Sequence, residues 1–416
     1  TRISPDLTTN DTVKQQQYAS GGLTVDNTSA ENHCTIYSIG PSPLDENLIY
    51  VGTDDGNIQV TRDGGKTWSL ISRNIPGVPK GAWVSRVTPS RHNRNRAYAT
   101  FDNHAYGDMR PYAARTDDGG KTWSLLSSGE PLQGYAHVII EDLVNPDLLF
   151  LGTEFGLYIS NDGGKTWVQY KAKLPEYVAV RDLLVQPATN DLVIATHGRG
   201  IFIVDDIAPF RGLTPELLQK DAALLRTRPA PVTTGHYGQA FPNTDAYVGP
   251  NSSENATIQY YLKDRLNTGD VSLEIYDPSG KKIATMPGTK RKGINIVRWD
   301  MRGAPPKAAR GVLVQGEAGV YAGFIGPLAL PGTYQVRLKA GNFADNGTLE
   351  LIPDPVQPDL DYAERNKISR ELFGLVEDLG LLVAQVQGAK DSADRRAAVV
   401  KNKALKTQLG QYSDRL

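Results

Sequence analysis

The first half of the chain alternates short apolar runs with turn-rich breaks, a pattern of strands. Four runs resemble one another: "LIYVGT", "RAYAT", "LLFLGT" and "DLVIAT". Each follows a second strand-like segment, "CTIYSIGPSP", "WVSRVTPSR", "AHVIIEDLVNP" or "VRDLLVQPA", that ends in a Pro-containing corner. Aligned on Ile49, Ala97, Leu149 and Leu192, the units lie 48, 52 and 43 residues apart. That period, with several strands per unit and no 3.6-residue apolar repeat, predicts β-propeller blades over residues 33–206.

An eight-residue phrase closes three of the four units: "TRDGGKTW", "TDDGGKTW" and "SNDGGKTW". Its glycine pairs suit a tight hairpin, where φ must be positive. Asp63, Asp118 and Asp162 are placed to accept loop N–H groups, and Trp68, Trp123 and Trp167 to fill the wedge between neighbouring blades. A catalytic centre rarely needs three equivalent copies, so the phrase reads as a structural joint. The fourth unit lacks it.

Behind the blades, "TPELLQK" predicts a short capped helix and residues 207–254 a helix and linker. Alternating segments over 255–355 predict a β-sandwich with Trp299 in its core. From residue 356 the pattern turns helical. Ile368, Leu372, Leu375, Leu379, Leu382 and Val386 follow 4-3-4-3-4 spacing, and "GAKDSADR" reads as the turn of a helical hairpin. That hairpin is expected to pack on the sandwich, with docking to another chain as the alternative.

Composition narrows the function. Forty-five basic against 46 acidic residues give no electrostatic basis for nucleic-acid binding. No run is apolar enough over its length to predict a membrane span. Cys34, the single cysteine, is expected to be a small buried hydrophobe. No Cys/His spacing suggests a metal, and no motif calls for a cofactor.

The phrase Ser/Thr-x-Asp-x-Gly-x-Thr-Trp resembles the Asp-box, or BNR repeat, of sialidases, xyloglucanases and sortilin (VPS10)-type propellers. Its setting is similar to large secreted bacterial propeller proteins, and "GINIVRWDMRG" with "LPGTYQVRL" resembles FlgD-like immunoglobulin-type modules. The resemblance implies an extracytoplasmic protein with six to ten blades. Four blades are seen, so the chain either forms a four-bladed ring or, as we expect, is part of a larger propeller in which residues 1–32 complete a preceding blade and the remaining blades lie upstream or on a separate chain.

Propellers bind ligands at the mouth of the central channel. The residues that break the repeat there are Asp54, Arg86, Asp102, His104, His137, Glu154, Arg181, His197 and Arg199. The expected function is non-catalytic recognition or scaffolding of a protein, peptide or glycan, with a subunit role in an envelope complex as a further option. The alternative is a glycoside hydrolase. A sialidase would use Arg86, Arg181 and Arg199 as a carboxylate clamp; a xyloglucanase-like enzyme would set Asp54 against Glu154. Three of the five tryptophans sit in the repeated phrase and Trp299 in the sandwich, which leaves Trp83 and disfavours a sugar cleft.

Overall fold

A computed structural model describes residues 2–15, 33–73, 75–127, 131–233, 255–307 and 325–416. The chain divides into two units, Thr1–Leu217 and Leu218–Leu416.

The first unit contains four consecutive antiparallel blades. Blade 1 holds β1 (Ile36–Pro41), β2 (Ile49–Thr53), β3 (Ile58–Thr61) and β4 (Ser69–Leu70). Blade 2 holds β5 (Trp83–Pro89), β6 (Ala97–Asn103), β7 (Asp108–Thr116) and β8 (Ser124–Leu125). Blade 3 holds β9 (Ala136–Glu141), β10 (Leu149–Thr153), β11 (Gly156–Ser160) and β12 (Val168–Tyr170). Blade 4 has only three strands, β13 (Val180–Gln186), β14 (Asp191–Thr196) and β15 (Ile201–Val204). Each sheet is buried on both faces where another blade covers it. Tyr98, Ile139, Leu151 and Tyr158 join blades 2 and 3, and Val138, Phe150, Val180, Leu183 and Ile194 join blades 3 and 4.

The repeated phrase forms the hairpin between the third and fourth strands, as its glycines require. Gly64 and Gly65 sit at φ 71° and 95°. The Asp63 carboxylate accepts from the Thr67 N–H (2.9 Å), the Thr67 hydroxyl (2.6 Å) and the Thr61 hydroxyl (2.8 Å). Asp118 and Asp162 repeat these bonds. The donors, Thr67 and Thr122 foremost, hold the Asp63 and Asp118 carboxyls down at about 2.

Two links tie each hairpin to its neighbours. Looking back, Trp123 Nε1 donates to Ile71 O (3.0 Å) and Trp167 Nε1 to Leu126 O (2.9 Å), each just past the outer strand of the preceding blade. Looking forward, Arg62 donates to Gly119 O (2.5 Å) and Arg115 to Gly163 O (3.0 Å). Asn161, at the Arg62 position of its own phrase, donates instead to Phe210 O (3.1 Å) and Leu213 O (3.0 Å). The stretch around α1 (Ala208–Arg211) therefore takes the place of the missing fourth hairpin. It is pinned by Arg211, which makes a two-pronged ion pair to buried Asp142 at 2.7 and 2.9 Å. Next comes α2 (Pro215–Gln219), with Leu217 N–H donating to the Thr214 hydroxyl.

The second unit is a two-sheet sandwich. β16 (Ala222–Leu224), β17 (Ala230–Val232), β18 (Ala256–Leu262), β19 (Val271–Tyr276), β20 (Lys282–Pro287), β21 (Gly293–Trp299), β22 (Gly332–Ala340) and β23 (Phe343–Pro353) form sheets of order β16-β18-β21 and β17-β23-β22-β19-β20. Trp299 is in the core with Tyr260, Leu273 and Tyr334, and its indole N–H is satisfied by Arg302 O at 3.0 Å. The sandwich begins earlier than the sequence suggests: β16 and β17 lie in the stretch expected to be linker. The rest of that linker, 234–254, lies outside the described residues, as do residues 16–32 of the N-terminal segment.

The helical region departs further from expectation. "GAKDSADR" is helical, inside the single long α3 (Tyr362–Val399), and the chain turns only at residues 400–402 before α4 (Lys403–Arg415). One glycine, Gly388, is not enough to stop a helix, and Asn402 provides the actual N-cap by accepting from Leu405 N–H. The apolar stripe also faces away from the sandwich. Ile368, Leu372, Leu375, Leu379 and Leu382 are between 47% and 65% exposed. The helix is anchored by a different face: the Tyr362 hydroxyl accepts from Asp354 N–H (2.6 Å), and Asn366 donates to Leu328 O (2.9 Å). By length and composition α3 could cross a membrane, which the sequence reading did not anticipate. Its most apolar stretch nevertheless carries Glu377 and Asp378, both costly in hydrocarbon.

Candidate functional site at the mouth of the blades

Antiparallel strand order puts the Asp-type hairpins and the β2–β3, β6–β7, β10–β11 and β14–β15 loops at opposite ends of the blades. The inner strands begin at the loop end. There, every inner strand carries the same irregularity. Pairing skips one residue between Ile36 and Ser38, Val84 and Arg86, Ala136 and Val138, and Val180 and Asp182. The bulged residues are thus Tyr37, Ser85, His137 and Arg181. A bulge re-aims the side chain it carries, and here three of them reach the following blade. Tyr37 meets Trp83 edge-on, with ring centroids 4.8 Å apart. Ser85 donates to Ala136 O at 2.8 Å. His137 Nδ1 accepts from Arg181 Nη1 at 3.2 Å.

His137 is the centre of the site. Its ring is 4% exposed, and its Nε2–H donates to Glu154 at 2.9 Å. With Arg181 donating to Nδ1, the tautomer is fixed and the ring is neutral. Burial lowers its pKa, and it outweighs the opposing pull of Glu154; Arg181 acts in the same direction as burial. Tyr135 stands edge-on to His137 (4.9 Å) and stacks on His104 (4.5 Å). Burial, and then Glu154, push its hydroxyl up to about 12, so it remains a donor at every physiological pH. His104 Nδ1–H in turn donates to Asp102 at 2.6 Å, and Asp102 also takes the His104 backbone N–H at 2.9 Å. Glu154 is held ionised despite burial by hydrogen bonds from His137 and Tyr135.

Of the nine residues expected at the mouth, five come together: Asp102 and His104 from blade 2, His137 and Glu154 from blade 3, and Arg181 from blade 4. The others do not join them. Asp54 caps its own inner strand, accepting from Thr35 N–H at 2.7 Å, and burial raises its pKa. Arg86 pairs with Asp182 at 2.9 Å, bridging blades 2 and 4 along a cavity of about 280 Å³ between the inner strands. His197 and Arg199 sit in an exposed loop. Of the three arginines considered for a sialidase clamp, Arg181 bonds to His137 and Arg86 pairs with Asp182. Cys34 is not the buried hydrophobe expected either: it is half-buried, at φ 71°, and its sulfur accepts from Asp11 N–H.

Tyr135 was not anticipated. Its signal was position, two residues before His137 at the opening of an inner strand. The tryptophan count also understated the aromatic character of this end, where Tyr37, Tyr106 and Tyr177 are 47%, 56% and 67% exposed. Among the described residues no group of three or more His, Cys, Asp or Glu side chains is arranged to hold a metal ion.

Comparison with known proteins places these features. Residues 59–70, 114–125 and 158–169 match the BNR/Asp-box repeat, so blades 1 to 3 carry Asp-box repeats. A 78-residue stretch is 37% identical to vacuolar protein sorting/targeting protein 10 of Laccaria bicolor, covering 19% of this chain and 4% of that protein. Among solved structures, YCF48 from Cyanidioschyzon merolae is similar at 19% identity, covering 41% of this chain and 52% of the other, with a TM-score of 0.31. The GH74 enzyme of Niastella koreensis is similar at 11% identity, covering 75% and 44%, with a TM-score of 0.33. The chain spans about half or less of each of these relatives.

Proposed function

We propose that this chain is a non-catalytic recognition protein whose ligand, a protein or peptide segment, binds across Asp102, His104, Tyr135, Glu154 and Arg181. One observation carries the reading: side chains from three consecutive blades are locked into one hydrogen-bonded and stacked network, His104 on Tyr135 on His137. Such a network is preorganised, which lowers the ordering cost of binding. It presents varied chemistry to solvent: the exposed edge of the His104 ring, the Arg181 guanidinium and the part-exposed Glu154 carboxylate, with buried Tyr135 and His137 holding them in place. The neighbouring exposed Tyr37 and Tyr177 extend an amphipathic surface of the kind that contacts polypeptides.

The same geometry weighs against glycoside hydrolysis. Asp102 is committed to His104 and Glu154 to His137, so neither is a free carboxyl poised as the acid of a two-carboxylate pair. The proposal includes an extracytoplasmic location, supported by the Asp-box repeats, and an immunoglobulin-like spacer role for the sandwich.

The test is a binding screen of the wild-type chain on peptide and glycan arrays, followed by titration calorimetry with His104→Ala and Arg181→Ala. Binding to peptides that both variants weaken at least about tenfold, roughly 1.4 kcal/mol, supports the reading. Peptide binding indifferent to both variants, or hydrolysis of a glycan, overturns it.

A further inference from the structure

The wedges between neighbouring blades differ in charge. Between blades 2 and 3 the cations have acids beside them. Glu141, at the end of β9, accepts from the Tyr98 hydroxyl (3.0 Å) and lies 3.6 Å from Arg96. Asp117 accepts from Arg96 (2.6 Å) and from Arg115 (2.9 Å). Glu141 stands opposite Leu149, and the residue in the same register of blade 2 is Pro89, opposite Ala97. The wedge between blades 1 and 2 therefore lacks that carboxylate. Tyr50, the counterpart of Tyr98, is 1% exposed, and its hydroxyl has no hydrogen-bond partner. A buried hydroxyl left so is uncommon in a fold. The charges that act on it, Arg62 and Arg94, are both cations.

At its Asp-box end this wedge holds a cavity of about 760 Å³, between β4 of blade 1 and the "TDDGGKTW" phrase of blade 2. Five charged residues line it: Arg62, Arg73, Asp117, Asp118 and Lys121. Both carboxylates are engaged. Asp117 is held by Arg96 and Arg115, and Asp118 by Thr116 and Thr122 inside its own hairpin. Arg62 gives one N–H to Gly119 O, and Arg62, Arg73 and Lys121 are all exposed. The cavity thus meets a ligand with positive charge. It offers no open aromatic face: Trp123, the one ring in the described lining, is 7% exposed and bonded to Ile71 O.

We propose that this wedge is a second docking site, at the opposite end of the blades from the mouth, and that its occupant is an acidic polypeptide segment. Asp or Glu side chains of the partner pair with Arg62, Arg73 and Lys121, and supply the negative charge that Glu141 supplies in the next wedge. An arginine fork matches a carboxylate in shape as well as charge. An acidic polysaccharide carries the same charge, but a sugar ring has no aromatic face here to stack on. The pairing groups are exposed, so the attraction is screened by salt. The site does not depend on what the mouth binds.

Fluorescence anisotropy of a labelled glutamate oligomer with the full 416-residue chain tests this, with a lysine oligomer and polygalacturonate as the other probes. The glutamate oligomer should bind, and more weakly as salt rises. Arg73→Glu combined with Lys121→Glu, both at exposed positions, should weaken binding at least about tenfold, because it sets like charges against each other. Arg181→Ala, at the mouth, should leave this binding unchanged, which separates failure here from failure of the recognition site. If circular dichroism shows the double variant unfolded, Arg73→Gln with Lys121→Gln is read in its place, again with weaker binding expected. No binding of the glutamate oligomer, equal affinity in the folded variant, equal binding of the lysine oligomer, or tighter binding of polygalacturonate would overturn the proposal.

Discussion

Arg181 of blade 4 donates to Nδ1 of His137 in blade 3, at 3.2 Å. Both are the bulged residue of their inner strand, so one backbone irregularity, repeated once per blade, builds the site. The contact also determines which protonation state of His137 the fold tolerates.

His137 is neutral in the fold, with a pKa lowered from its ordinary value near 6.5, chiefly by burial. The unfolded chain therefore takes up a proton at higher pH than the fold does. His137 costs the fold nothing above about pH 6.5, and stability falls as the pH drops from there toward the lowered native value. Urea midpoints between pH 7.5 and 5 should show a slope that His137→Gln reduces. Nitrogen-15 NMR should find the proton on Nε2.

Removing an Asp-box carboxylate should loosen one blade. Asp162→Ala leaves the Thr166 N–H, the Thr166 hydroxyl and the Ser160 hydroxyl without their acceptor. The expected cost is about 2 kcal/mol, read as a lower thermal midpoint. Burial acts to raise the Asp162 pKa, but bonds from Thr166 and Ser160 leave it net lowered. Its contribution is thus complete above the ordinary carboxyl range and fades as the pH falls through the native pKa. The wild-type and Asp162→Ala midpoints should converge in acid.

Asp142 and Arg211 hold the segment that replaces the fourth hairpin, and Asp142 is fully buried. Asp142→Ala strands the Arg211 guanidinium and should cost about 3–5 kcal/mol. Protease sensitivity should rise first around residues 205–215. Equal destabilisation with no local change in cleavage would contradict this role.

Gly120→Ala tests the close approach of neighbouring blades. Gly120 sits at φ 92°, and a Cβ there would come within 2.5 Å of Ile71. Backbone strain alone should cost about 1–2 kcal/mol. Gly198→Ala has open space around it, so it should cost only the backbone part.

The blades were legible because their phrase is local: glycine pairs, a carboxylate and a tryptophan at fixed offsets specify a hairpin without distant partners. The mouth was legible in part, since repeat alignment finds the loop ends but not the bulges. Bulges arise from pairing between strands, which is why Asp102, His104, His137, Glu154 and Arg181 converge while Asp54, His197 and Arg199 at comparable positions do not. The 4-3-4 spacing of α3 identifies a helix, but its apolar stripe does not face the sandwich. Spacing gives a face, whereas Tyr362 and Asn366, two polar anchors, decide which face turns inward.

The central claim is that the His104–Tyr135–His137 network is a recognition surface. Its most direct test is titration calorimetry of array-selected peptides against wild type, Arg181→Ala and Arg199→Ala. Arg181→Ala should weaken binding at least about tenfold, roughly 1.4 kcal/mol, and Arg199→Ala, outside the network, should leave it unchanged. The reverse order, or equal affinity in all three, would contradict the account.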